Sequence, residues 1–346
     1  MNKYFSVRNK SGKVSFHLEK KMIVMLLSLF CVSLLLFITG LSVGSTMINP
    51  ITVLLHLLGV ESPEHQFIIE TLRLPRAILS LLVGMALGVS GLILQGIIRN
   101  PLASPDIIGI TGGASAAAVL FITYFSGSVS INLIPFVAIL GAGTVSLVIY
   151  ILAWKKGVTP IRLVLIGIGM SAAMGALTTM MIVLNRTYTT GQAYIWLTGS
   201  VYGANWENVY SMLPWVLIFV PLALLFSPEV NVQELGDQVA LGLGSRVQLN
   251  RLALLIISVA LAGSAVAYGG GIGFVGLIAP HIARKLVGRS FGGLIPMSAL
   301  IGGLIVILAD VVARTVFLPL DLPAGVFVSG IGAPFFIYLL YRNRNM

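Results

Sequence analysis

Only two charged residues, Asp310 and Arg314, lie well inside an apolar run of this chain, and they are four positions apart. On a helix that spacing puts them on one face, where they can pair. Intramembrane carboxylates are the usual parts of a proton or sodium relay, but a relay needs several such groups near the bilayer midplane. At about 1.5 Å per residue, this pair falls in the outer half of its run. It therefore fits a structural ion pair at least as well as a relay step. Other reactive constellations are missing. Gly113-Ala-Ser115 and His281 have the residue types of an intramembrane serine hydrolase, yet Ser115 sits in a run of small residues typical of helix packing. His17, His56, His65 and His281 show no metal-ligand spacing, so neither a catalytic nor a metal site is expected. No G-x-x-x-x-G-K-[ST] loop is present, so the chain is not expected to hydrolyse ATP itself.

The elements that must carry these residues are apolar and long. The 346 residues are 57% hydrophobic and 9% charged, too little charge for a soluble chain of this length. This is the composition of an all-α polytopic membrane protein. A single cysteine, Cys31, excludes a disulfide framework. The net charge of +10 comes from residues scattered between apolar runs, which speaks for orientation in a membrane rather than binding to nucleic acid. Runs of spanning length are expected near 22–43, 75–98, 107–126, 132–154, 161–184, 209–227, 251–269, 273–288, 295–318 and 324–341, the eighth short enough to be tilted or re-entrant. The organisation expected is a basic N-terminus over 1–21, a ten-helix domain over 22–341 and a short tail over 342–346.

Ten spans put both termini on one side. With the basic N-terminus inside, 17 of the 21 Lys and Arg fall in inside segments. Only Arg73, Arg76, Arg186 and Arg314 remain outside or near the outer face. That asymmetry supports cytoplasmic termini. It also puts the longest internal polar interruption, 228–251, in the cytoplasm. There Val232, Leu235, Val239 and Leu243 recur at helical spacing among Glu234, Asp237 and Gln238, with Ala240 on the same stretch. Gly242 and Gly244 then break the pattern before a second short segment, Ser245 to Arg251. The pattern fits two short amphipathic helices about a glycine hinge, or a solvated connector. Because the pathway lacks charge and the chain lacks a nucleotide site, an external ATPase docking on this segment would supply the missing driving force.

Outside, 44–74 is expected to carry an interfacial helix from Pro50 to Gly59, and 185–208 is rich in aromatic residues. Gly84, Gly88 and Gly91 share nearly one face of the second run, a signature of close helix packing. Met170, Met174 and Met181 lie among small residues of the fifth run. They fill a core, or they give a flexible apolar wall that lets a large ligand slide past.

Several strings resemble the FecCD-type permeases, the membrane subunits of ABC importers for iron–siderophore complexes, haem and cobalamin. They are Arg73-Leu-Pro-Arg76, Gly91-Leu-Ile-Leu-Gln95, Arg99-Asn-Pro-Leu-Ala-Ser-Pro105 with Gly109, and Gly273-Phe-Val-Gly-Leu-Ile-Ala-Pro-His281-Ile-Ala-Arg284. Ala309-Asp310-Val-Val-Ala-Arg314, Leu322-Pro-Ala-Gly325 and Gly332-Ala-Pro-Phe335 complete the series, in order along nearly the whole chain. The stretch after Gly288, Arg-Ser-Phe-Gly-Gly, departs from the Asp-His-Arg often found there.

The resemblance implies a homo- or heterodimer of ten-span permeases. Two ABC ATPase subunits, which use the ATP, would dock on one face, and an extracytoplasmic substrate-binding (lipo)protein would deliver the ligand to the other. Glu234, Leu235, Asp237, Ala240, Gly242 and Gly244 fall on the family's coupling segment. Arg73, Arg76 and Arg314 match arginines that meet acidic residues of the binding protein, which implies that they are exposed. The family's fifth and tenth helices border the pathway, which favours a lining role for Met170 and Met174, with Met181 the third candidate on the same stripe. The expected function is permeation of an iron(III)–siderophore with no cofactor bound by this chain. A cobalamin or haem importer of the same architecture is the alternative, and a proton-coupled secondary carrier is the alternative of another class.

Overall fold

In the computed structural model, residues 4–8, 15–60, 62–125, 128–185 and 187–342 are described. Lys3, Lys10, Lys13, Arg186 and the tail beyond 342 lie outside them, as do the side chains of residues 4–8, 15–18 and 187–189. The chain opens with a hairpin, β1 (Tyr4–Arg8) antiparallel to β2 (Ser15–Glu19), with Tyr4 opposite Glu19. This hairpin is the departure from the all-α expectation among the described residues. By sequence the segment is simply a basic terminus. Among the described residues, each element after it is a helix.

The first helices are α1 (Lys20–Ser42), α2 (Pro50–Leu57), α3 (Pro63–Gln66), a π-helical stretch over Phe67–Arg73, and α4 (Leu74–Ile98). Next come α5 (Ile110–Tyr124), α6 (Ile134–Ala153), α7 (Pro160–Leu184), α8 (Thr187–Thr198) and α9 (Trp206–Leu225). The order closes with α10 (Ser227–Glu234), α11 (Asp237–Gly242), α12 (Val247–Gly269), α13 (Val275–Val287), α14 (Phe291–Thr315) and α15 (Ala324–Arg342).

Each of the ten expected runs falls on one helix. Among the described residues, eight helices are long and apolar enough to cross a membrane. The other two, α5 and α13, have 15 and 13 residues. At about 1.5 Å per residue neither reaches the roughly 30 Å of a hydrocarbon core. The expected interfacial helix at Pro50 is α2, capped by the Asn49 side chain accepting from the Ile51 N–H at 2.9 Å.

Helix α4 is the axis of the bundle, buried on nearly every side and packed on α9, α12, α13 and α14. Its glycine face explains how so many helices fit around it. A Cβ at Gly84 would overlap the carbonyl of Gly302, one at Gly88 the carbonyl of Ser298, and one at Gly91 the carbonyl of Gly276. Backbone touches backbone, as small-residue interfaces in lipid allow. On another side, Ser90 Oγ lies 2.8 Å from both the carbonyl and the Oγ of Ser258, tying α4 to α12 in the dry interior. An interhelical hydroxyl bond there satisfies a polar group that lipid could not.

Candidate functional site

Two polar constellations flank this apolar bundle, one at each end of α4. At its C-terminal end lies the α10–α11 segment. Val230 and Ala240 are buried, whereas Leu235, Val239, Leu241 and Leu243 are 49–63% exposed. Large apolar side chains grouped on a polar segment are the usual mark of a partner surface.

The geometry corrects the expected hinge. Gly242 is the last residue of α11 and Gly244 follows it, so this pair divides α11 from the long α12 rather than one short helix from another. The N–H of Gly244 bonds to the Leu241 carbonyl and that of Ser245 to the Ala240 carbonyl, both at 3.0 Å, and Gly244 has φ +83°. This is a Schellman cap, which needs a left-handed residue at that position. The break between the two short helices falls instead at Leu235–Gly236, where Gly236 has φ +108°. The second segment expected over Ser245–Arg251 is mostly the first turn of α12. The glycine pair marks one boundary; the second, at Gly236, has no local signal because the apolar stripe from Val232 to Leu243 crosses it.

The segment is fastened to the bundle through Asp237. Its Oδ1 accepts from Arg99 Nη2 at 2.7 Å and from Arg251 Nη2 at 2.8 Å, so one carboxylate joins the ends of α4, α11 and α12. Arg251 is 1% exposed and also donates to the Val158 carbonyl in the α6–α7 connection. Glu229 adds a second fastening by accepting from Ser245 Oγ at 2.7 Å and from Asn250 Nδ2. Glu234 faces a cavity of about 350 Å³ that also holds Arg99, Arg284 and Arg289. Burial pushes its carboxyl above the usual range, and Arg284 and Arg289 partly offset that.

At the other end of α4, the three arginines are not the exposed side chains that docking implies. Arg73 is buried, with Nη1 donating to the carbonyls of Leu41 at 2.6 Å and Ser42 at 3.0 Å. Its Nη2 donates to the carbonyl and the Oγ1 of Thr46, so Arg73 caps the C-terminal end of α1. Arg76 Nε donates to Asp310 Oδ1 at 2.9 Å, while Nη1 and Nη2 donate to Asp321 Oδ2 at 2.6 Å and Oδ1 at 2.8 Å. Its guanidinium lies 5.6 Å over the Tyr202 ring. Arg314 donates to the Gly40 carbonyl and stands 3.8 Å from Asp310, at ion-pair distance. The Asp310–Arg314 spacing was legible, but the principal partner of Asp310 is Arg76. Asp321, in a loop without periodicity, gave no sequence signal. The physical reason for the burial is plain: each guanidinium fork satisfies carbonyls or carboxylates that a membrane protein would otherwise bury unpaired.

On α7, Met170 and Met174 are half-buried against the core. Met181 is 3% exposed, packed with Ala116, Val119, Ile182 and Ala193. It fills a small core and does not face an open path. The exposed residues of α7 include Gly169, Ala172, Ala173, Ala176 and Met180, together with the bulkier Leu165, Ile168 and Val183.

Comparison with known proteins agrees over about nine-tenths of the chain. The family model of the FecCD transport family matches residues 31–342. The achromobactin transport system permease protein CbrC of Dickeya dadantii is 51% identical over 312 residues, 90% of this chain and 89% of that one. The probable siderophore transport system permease protein YfhA of Bacillus subtilis is 46% identical, over 94% of this chain and 97% of that one. The iron(3+)-hydroxamate import system permease protein FhuG of Bacillus subtilis is 44% identical, over 94% and 98%. Among solved structures, a metal-chelate type ABC transporter in an inward-facing conformation superposes with a TM-score of 0.83 at 30% identity, covering 92% of this chain and 99% of that one.

Proposed function

This chain belongs to the FecCD transport family, and from that premise we propose that it is the multi-pass permease subunit of an ATP-driven importer that carries an iron(III)–siderophore across the bacterial cytoplasmic membrane. The observation that carries the substrate class is the shared one among relatives. Three permeases at 44–51% identity along about nine-tenths or more of the chain bear names of achromobactin, siderophore or iron-hydroxamate transport.

The mechanism follows from the two ends of α4. An ATPase seats against Leu235, Val239, Leu241 and Leu243, which the bundle leaves uncovered. Movement of α11 then passes through Asp237 to Arg99 and Arg251, hence to α4 and α12 together. A packed interface with discrete arrangements turns that displacement into alternating access. The free side of α7, lined by Gly169, Ala172, Ala176 and Met180, faces a second permease copy or paralogue across the pathway. Small side chains there leave room for a bulky chelate. At the outer end, Arg73, Arg76 and Arg314 shape the rim on which a binding protein lands. They act by holding α1, α4 and α14 in register, and an acidic partner reaches Arg76 only by competing with Asp321.

The test is uptake of iron-55 in a strain deleted for this permease, presented as achromobactin, as a hydroxamate chelate or as citrate. Loss of at least one of these activities, restored by the gene and abolished without the partner ATPase, supports the proposal. Unchanged uptake of all three, or uptake that persists without the ATPase and collapses with the proton gradient, would overturn it.

A further inference from the structure

A groove of about 450 Å³ lies between α6, α9 and α12, walled by Ile139, Gly143, Tyr150, Phe219, Leu255 and Ile256 among others. Its lining is almost wholly apolar. It opens among exposed Leu147 and Ile256, an apolar surface of the kind that lipid covers. An apolar cavity of about 150 Å³ already takes a benzene-sized guest, so this one has room for a substantial length of chain.

The end of the groove at Tyr150 and Leu252 is of another character. There the α6–α7 connection presents Trp154, Lys155 and Lys156, all exposed, and Arg246 lies just before α12. The connection is built rather than loose. Arg162 Nη1 donates to the carbonyls of Ala153, Lys155 and Gly157, each at 3.2 Å. Gln248 of α12 grips Val158 from both sides, accepting its N–H at 2.9 Å and donating to its carbonyl at 3.3 Å. The carboxylates nearest in the fold are already engaged, Glu229 by Ser245 and Asn250 and Asp237 by Arg99 and Arg251. Neither lysine side chain has a hydrogen-bond or ion-pair partner among the described residues.

We infer that this groove is a binding site for an anionic phospholipid, one acyl chain lying along α6 and α12 and the headgroup phosphate held by Lys155, Lys156 and Arg246. An apolar trough ending in an interfacial tryptophan and a basic cluster is the arrangement such a lipid fits. Its position against the α6–α7 connection, which Arg251 also grips, links lipid occupancy to the Asp237 fastening. The inference rests on the membrane reading of the chain but not on its cargo.

The test is native mass spectrometry of the full-length permease in mild detergent, titrated with phosphatidylglycerol or phosphatidylcholine of identical acyl chains. Wild type retains phosphatidylglycerol on the order of a hundredfold better, since each of the three basic residues contributes roughly fivefold near an anionic headgroup. The K155Q/K156Q/R246Q variant, altered only at exposed side chains, loses the preference. Gly143→Leu, whose added Cβ meets open space, lowers retention of both lipids while thermal unfolding stays unchanged. Equal retention of the two lipids by wild type, a preference surviving in the triple variant, or disulfide trapping of two copies through Gly143→Cys would overturn the inference. The last result would make the groove a permease–permease contact.

Discussion

Arg76 and Asp321 meet end-on, Nη1 to Oδ2 at 2.6 Å and Nη2 to Oδ1 at 2.8 Å, while Nε of the same guanidinium holds Asp310 at 2.9 Å. One arginine thus joins α4 to α14 and to the loop that leads into α15. The two carboxylates differ in surroundings, Asp310 being 3% and Asp321 26% exposed at the side chain. That difference sets their worth. Removing one member of a fully buried pair costs about 3–5 kcal/mol. A charge-assisted bond at a partly wet site is worth about 1.5–3 kcal/mol. Asp310→Asn is therefore expected to lower the midpoint of thermal unfolding in detergent well beyond Asp321→Asn. Equal effects would contradict the ranking.

The Asp237 node makes a similar comparison possible at the other end of α4. Arg99 is 30% exposed at its side chain and Arg251 1%. Arg99→Gln removes a screened surface bond worth about 0–1 kcal/mol. Arg251→Gln strips Asp237 and Val158 of a buried donor, at about 3 kcal/mol or more. Denaturation midpoints of the two variants measure the gap, and a larger loss for Arg99→Gln would count against the assigned geometry.

Gly84 and Gly91 admit no side chain, because the carbonyls of Gly302 and Gly276 occupy the space. Gly84→Val is expected to prevent recovery of a monodisperse permease, since moving a backbone costs more than the ~1–3 kcal/mol of ordinary overpacking. Gly169→Val on α7, where an added Cβ meets nothing, is expected to leave recovery unchanged. Size-exclusion profiles of both decide it.

If α7 borders the pathway as proposed, its two faces separate stability from transport. Met181→Ala empties a closed pocket and is expected to cost about 2–5 kcal/mol. Ala176→Trp on the uncovered side is expected to leave the unfolding midpoint in place and to cut iron-55 uptake several-fold. Uptake indifferent to Ala176→Trp would remove α7 from the pathway.

The sequence made the architecture legible because lipid enforces it: every apolar run of spanning length became a helix, and Gly84, Gly88 and Gly91 pointed at their interface before any partner was visible. Charge partners were less legible. Asp310 and Arg314 are neighbours by helical period, so their proximity could be read. Arg76 with Asp321 and Asp237 with Arg251 are joined only by the tertiary fold, and no local pattern records them. The α10–α11 break at Gly236 was missed because a stripe of apolar residues crosses it, and the two glycines after it looked the more flexible. Positive φ belongs to the cap at Gly244, whereas Gly242 is simply the last helical residue.

If α10–α11 carries ATPase movement into the bundle, a side chain added at Gly242 reports it most directly. An added side chain there meets nothing within 4 Å, so Gly242→Trp leaves the permease folded while blocking the surface around Leu241 and Leu243. The measurement is iron-55 siderophore uptake by cells carrying Gly242→Trp, with permease abundance in the membrane checked in parallel. Uptake at the level of the deletion strain, with normal abundance, is the predicted result. Uptake equal to wild type would contradict a docking role for this segment.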